Sequence, residues 1–272
     1  MKLIAQVKLA ATPAQKELLH QTLARANKAR NFLSDLAWET GVFGQYAIHK
    51  LAYHGTRSEF PDLSSQIVVR CIADVADAYK LDRKNRRSFK PFGAITYDER
   101  ILRWYTDRQE VSIWAIGGRQ HIPYRCGEHQ RLMLKAIQGQ ANLVYRNGEF
   151  YLHQTCDIET PDPDKPDGWL GIDLGIVNIA VDSSGETFSG DQVESRREWN
   201  ERRRKILQSV GTKSAKHRLR KLSGRQARFQ KDTNHCISKA IVAKARRHNL
   251  GIALEDLSGI TKRTTVRKAQ RS

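Results

Sequence analysis

Two short stretches set a carboxylate in an apolar run, and an acid in that setting can do metal chemistry. The first is Gly171-Ile-Asp-Leu-Gly-Ile-Val-Asn-Ile-Ala-Val-Asp-Ser-Ser-Gly185, which reads as a buried strand with Asp173 inside it. An ionised carboxylate there is costly unless paired; a divalent cation is one solution and a hydrogen bond to a neighbouring turn is another. Gly171 and Gly175 leave room beside the acid for a metal, a water or a phosphate, and Gly175 eases a kink or bulge. The second stretch is Leu250-Gly-Ile-Ala-Leu-Glu255-Asp256, again an apolar strand closing on an acid, after a helix carrying Ile237, Ile241 and Ala245. On a strand Asp256 would face away from Glu255. Two strands that each deliver an acid, separated by a basic helical insert, suit a metal-dependent phosphodiester-cleaving site. In that reading Asp173 and Glu255 are the catalytic acids and the metal ligands, and oxygen-only ligands admit Mg²⁺ or Mn²⁺.

The charge between and beyond these strands points to the partner. The formal net charge is +18, and residues 196–272 carry all of it, with 23 Lys and Arg against 5 Asp and Glu. A field so localised implies a polyanion, most simply nucleic acid. The cations expected to meet it are Arg202, Arg203, Arg204, Lys205, Lys213, Lys216, Arg218, Arg220, Lys221, Arg225 and Arg228. They run alongside an apolar stripe of Ile206, Leu207, Val210, Leu219 and Leu222, which predicts an amphipathic helical hairpin broken at Gly211 and Gly224. A second cluster holds Arg83, Lys84, Arg86 and Arg87; it reads either as nucleic-acid backbone contact or as a solvated helix end.

Other elements must position these groups. Residues 1–10 alternate as a half-buried strand, and Thr12-Pro13-Ala14-Gln15 starts a helix that runs to about Gly41. Further helices are expected over 45–53 and 64–84. From Pro91 the pattern turns to short strands, one of them spanning LMLKAIQGQANLVYR, with Asn147-Gly148 as a type I′ hairpin turn. Trp104, Tyr105, Trp114 and Tyr124 read as core rather than as base-stacking groups. Three of the seven prolines fall in 159–168, a domain boundary. Cys71, Cys126, Cys156 and Cys236 form no C-x-x-C pair and read as small buried hydrophobes. No run approaches the 18 to 20 apolar residues of a membrane span, so a soluble cytoplasmic protein is expected.

With these residues in place, GIDLGIVNIAV resembles the first RuvC motif, and KDTNHCISKAIVAKARRHNLGIALEDLSGI resembles the second, of TnpB-type proteins. These are transposon-encoded RNA-guided DNA nucleases, similar to the ancestors of type V CRISPR effectors. The resemblance implies a multidomain α+β and α/β chain. A β-barrel wedge (1–10 and 91–158) carries an inserted helical recognition bundle (11–90), and a linker (159–168) leads to a RuvC domain of ribonuclease-H-like fold (169–272). It also implies a guide RNA and target DNA as partners. Family members continue into a C-x-x-C zinc element and a third catalytic Asp, whereas no Cys follows Cys236 here. The expectation is therefore a C-terminally truncated member with an incomplete RuvC domain and no zinc site, cleaving DNA weakly or not at all by itself. One alternative is a nuclease-deficient RNA-guided DNA-binding protein. Another starts from GIDLGIVNIAV, which is also similar to the first phosphate loop of actin-like ATPases, though no second such loop is found.

Overall fold

Local chemistry specifies the first helix at both ends. The Gln15 amide donates to the Thr12 hydroxyl (3.3 Å), and the Gln15 side chain accepts from the Thr12 amide (3.0 Å), forming a reciprocal capping box with Pro13 at the first helical position. Gly41, at φ 67°, closes the helix in the left-handed conformation that glycine alone adopts freely. The computed structural model describes residues 1–160, 165–175 and 177–256, and the chain divides into two units, Met1–Pro161 and Asp162–Ser272.

In the first unit β1 (Lys2–Leu9) leads into three helices, α1 (Pro13–Thr40), α2 (Gln45–Glu59) and α3 (Ser65–Leu81). Four strands come next, β2 (Ile95–Tyr97), β3 (Leu102–Tyr105), β4 (Glu110–Ala115) and β5 (Gly118–Arg125). After them come a short helix α4 (Glu128–Met133), β6 (Ile137–Arg146) and β7 (Glu149–Asp157). All seven strands form one antiparallel sheet in the order β2-β6-β7-β1-β5-β4-β3. β1 lies at its centre because Ala5, Val7 and Leu9 are buried on the core face while its backbone pairs on both sides. The sheet curls until it is nearly a closed barrel. The Tyr97 hydroxyl on one edge strand donates to the Trp114 carbonyl on β4 (2.9 Å), and the Trp104 indole on the opposite edge donates to Gln154 on β7 (2.8 Å).

Four local expectations are corrected. α2 runs past Tyr53 to Glu59, because Thr56 continues the buried face of Ile48 and Ala52 and donates to the Ala52 carbonyl (2.7 Å). α3 ends at Leu81 rather than Lys84. The Asp82 carboxylate accepts from the Lys84 amide (2.8 Å) and the Asn85 side chain (3.1 Å), offering the backbone an alternative to the next turn. The start of LMLKAIQGQANLVYR is helical, through Met133 and on into a 3-10 turn over Leu134–Ala136; the apolar run Leu132-Met133-Leu134 is too short to have a period that separates helix from strand. Cys71 and Cys156 are buried, but Cys236 is exposed on a helix.

The second unit begins with β8 (Gly168–Asp173), β9 (Asn178–Asp182) and β10 (Thr187–Ser189), passes through two long helices, α5 (Asp191–Val210) and α6 (Lys213–Arg247), and returns as β11 (Leu250–Leu254). Its sheet has the order β10-β9-β8-β11, in which β8 pairs antiparallel with β9 and parallel with β11. Leu170, Ile172 and Ala180 on one face pack under Ile241 and Ala245 of α6. Gly211 (φ 63°) breaks the hairpin, but Gly224 does not: α6 passes through it, held by burial on either side at Ala215 and at Ile241 and Ala245, and a glycine penalty of about 1 kcal/mol is too small to break it. No described helix is long and apolar enough to cross a membrane.

Candidate functional site

Register brings the two predicted acids together. β8 and β11 pair in parallel from Leu250 opposite Gly168 to Leu254 opposite Ile172, so Glu255, one residue further, is level with Asp173. Side chains at paired positions of parallel strands project to the same face of the sheet. The alternation that buries Leu170 and Ile172 beneath α6 turns Asp173 outward. Asp173 is therefore not enclosed in a buried strand: it is the last residue of β8 and exposed, as is Glu255 beyond β11. The carboxyl ends of parallel strands are where open α/β sheets bind ligands. The motif residues Ile176 and Leu257 to Ile260 lie outside the described residues, as does the segment to Ser272.

Gly175 has a reason beyond leaving room. A Cβ there would stand 2.9 Å from the Asn178 carbonyl oxygen, so the chain after Asp173 turns back on itself too closely for any side chain. On the other side of the motif, Gly171 donates its amide to the Ser183 hydroxyl (3.2 Å) and accepts from the Ser183 amide (2.8 Å).

A latch that sequence reasoning missed fastens this strand pair to α6. The Lys244 ammonium pairs with Asp182 and donates to the Ser184 hydroxyl (2.6 Å) and to Glu186 (2.7 Å). The other Asp182 oxygen accepts from the amides of Ser184 (2.9 Å) and Glu186 (3.0 Å) and from the Ser184 hydroxyl (2.7 Å). Lys244 first, with these donors, holds the Asp182 carboxyl well below the usual carboxylate range. Asp182 and then Glu186 raise Lys244 in return. Among the described residues no three His, Cys, Asp or Glu side chains gather as a metal-binding group. The chemistry of the donor set, two carboxylates, is that of a hard divalent ion, since Mg²⁺ is commonly held by one or two carboxylates with water and substrate phosphate completing its shell.

The basic hairpin presents its charge outward. Arg202, Arg203, Lys205, Lys213, Lys216, Arg218, Arg220, Lys221, Arg225 and Arg228 are exposed, and Arg204 is half-buried. Arg202 faces Glu198 at 3.9 Å; among the described residues the others form no ion pair with a carboxylate. The first half of α5 intersperses both signs, with Arg197 paired to Glu194 and Glu201, but from Arg202 to Lys231 no acid occurs, and that stretch lacks the mixed charge of a face kept only for solubility. The cluster in the first unit is different. It is not a helix end, because α3 stops before it, and α1 clamps its backbone. Asn31 exchanges two hydrogen bonds with Phe89 (2.9 and 2.7 Å), and the Ser34 hydroxyl donates to the Arg87 carbonyl (2.7 Å). Arg86 pairs with Asp35 and Arg87 with Asp82, which leaves Arg83 and Lys84 exposed and without carboxylate partners among the described residues. Trp104, Trp114 and Tyr124 join the barrel core, while Tyr105 stacks on His121 with Arg108 over its ring.

Residues 153–258 match the family model OrfB_IS605, described as a probable transposase. Among solved structures, the Cas12f1-sgRNA-target DNA complex shares 13% identity at a TM-score of 0.38, covering 97% of this chain and 75% of that one; a likeness this distant carries no inference. No curated protein matches the sequence.

Proposed function

We propose that this chain is a TnpB-type, RNA-guided, metal-dependent DNA endonuclease of a transposable element, a reading supported by the match of residues 153–258 to the OrfB_IS605 model of probable transposases. The observation that carries this reading is the register that sets Glu255 level with Asp173 at the exposed ends of two parallel strands. A mixed sheet whose acid-bearing strands are parallel neighbours, joined through a basic helical hairpin, also supports the RuvC reading of the second unit.

Asp173 and Glu255 would hold Mg²⁺ or Mn²⁺, which supplies Lewis-acid polarisation of a phosphodiester when bound. The chain's own part is to fix these acids. Gly175 permits the close turn behind Asp173, and the Asp182–Lys244 latch ties β9 to α6. The unpaired hairpin cations would hold the phosphate backbone without reading sequence. In the first unit, Arg83 and Lys84 would meet guide-RNA phosphates.

The test is twofold. Purified chain should carry RNA that ribonuclease removes, and it should bind Mn²⁺, followed by water-proton relaxation, about tenfold or more weakly after either Asp173→Asn or Glu255→Gln. Unchanged Mn²⁺ binding in both variants would end the metal-site reading, and protein free of RNA after purification at low salt would end the guide reading.

A further inference from the structure

Trp199 projects from α5 in the middle of the basic hairpin, with 42% of its surface exposed. Cations surround it rather than core. The guanidinium carbon of Arg196, three residues earlier, lies 5.4 Å from its ring, and that of Arg203, four residues later, lies 5.6 Å away. Arg196 also lies 5.7 Å from the Phe229 ring on α6. The Trp199 ring borders a cleft of about 400 Å³ whose other walls are Arg203, Leu207, Arg218, Lys221, Leu222 and Arg225. Four of these six are cations, and among the described residues none of the four is ion-paired.

We infer that Trp199 is a stacking platform for an unpaired nucleic-acid base, with the phosphates of the same strand carried by Arg203, Arg218, Lys221 and Arg225. A large π surface beside several unpaired cations, with aliphatic side chains between, matches a nucleotide: a flat apolar ring next to an anion. A protein or lipid partner would call for a wider apolar patch around the indole. In a duplex each base is already stacked on both faces, so an indole gains little there; an unpaired base has a face to give. Binding also exchanges favourable contacts. As a base covers the indole, the displaced guanidinium moves from a cation–π contact to a charge-assisted hydrogen bond with phosphate, the stronger of the two. The inference rests on the reading of the hairpin as a nucleic-acid face and adds to it a preference for single strands and a residue responsible.

The experiment measures binding of full-length chain, freed of copurified RNA, to labelled 20-nucleotide oligo-U, oligo-dT and a 20-base-pair duplex over a salt series. Trp199→Ala is expected to weaken single-strand binding about tenfold, within the range for loss of one stacked base, with duplex binding and the salt slope nearly unchanged. Trp199→Phe should retain most of the affinity. Trp199→Leu, which keeps apolar bulk without a π face, should behave like Trp199→Ala and serves if the alanine variant folds poorly. An Arg218→Gln, Arg225→Gln double variant should weaken single strands and duplex alike and lower the salt slope by about two. A larger Trp199 effect on oligo-U assigns the occupant to RNA, and a larger one on oligo-dT assigns it to DNA. If Trp199→Ala and Trp199→Leu bind single strands within twofold of wild type, or lose duplex binding equally, the stacking platform is overturned while the charged face stands. Wild-type chain that binds none of the three at low salt overturns both.

Discussion

Asp182 and Lys244 show how a pair outside the candidate metal site can hold together the unit that carries it. Asp182 is almost wholly covered, and its carboxylate joins the β9 strand end, the adjoining turn and α6. Its folded pKa is depressed, chiefly by the Lys244 hydrogen bond, so its contribution to stability is present above the unfolded value of about 4 and is lost as pH falls through the folded value. Lys244 is raised, chiefly by Asp182; its contribution is complete below its unfolded value of about 10.4 and is lost as pH rises through the folded one. The latch is therefore fully made between about pH 5 and about pH 10. Asp182→Asn or Lys244→Met should lower the melting temperature of the second unit by several degrees at pH 7. The gap to wild type should narrow on acidification below about pH 4. A gap that stays constant from pH 7 to pH 3 would show that the pair's charge is not what the variants remove.

Between residue and molecule stands the β8–β9 connection, where a single glycine sets the path of the chain beyond Asp173. Gly175→Ala drives a Cβ to within 2.9 Å of the Asn178 carbonyl, and because the obstacle is backbone, the turn itself must open. Overpacking of this kind costs about 1 to 3 kcal/mol. Chemical denaturation should register that loss, and Mn²⁺ affinity should fall with it because Asp173 is only two residues away. Retained stability with unchanged Mn²⁺ binding would mean that the turn has slack. Much at this scale was legible in the sequence where the determinants are local: the Thr12–Gln15 box, Gly41, the Asn147-Gly148 turn and the Gly211 break all act within a few residues. Determinants distant in sequence were not. The Lys244 pairing spans 62 residues, the parallel register of β8 with β11 spans 82, and the exposure of Asp173 arises from where the sheet ends rather than from its apolar neighbours. Gly224 misled because a helix buried on either side of a glycine, here at Ala215 and Ile241, tolerates what an isolated helix would not. Trp199 was visible as Arg196-x-x-Trp199-x-x-x-Arg203, but only the exposed faces of the folded hairpin gave that spacing a meaning.

Across the whole molecule the two units are unequally supplied with core. Among the described residues the first unit buries a cluster of 36 apolar side chains, and the second buries five in its sheet–helix core. Burial is the main term opposing chain entropy, so the second unit is the weaker body. Two further features lower its stability. Leu254 and Val242 stand exposed along an apolar cleft of about 450 Å³ between α6 and the strand ends, and the hairpin cations repel one another. Long helices draw most of their stability from packing, and α5 buries only Asn200, whose side-chain nitrogen has no hydrogen-bond partner among the described residues. Calorimetry on RNA-free chain should accordingly show two transitions, the lower one belonging to the second unit. Raising salt should lift the lower transition by screening the repulsion. A saturating single-stranded oligonucleotide should lift it further through binding to the folded hairpin, at a hundred times its dissociation constant by about 2.7 kcal/mol. That second increment should shrink as salt rises, since the contacts are to phosphate, while the upper transition stays in place. A lower transition insensitive to oligonucleotide at low salt would contradict the assignment of the hairpin as the polyanion face; one that oligonucleotide raises equally at low and high salt would contradict its electrostatic origin.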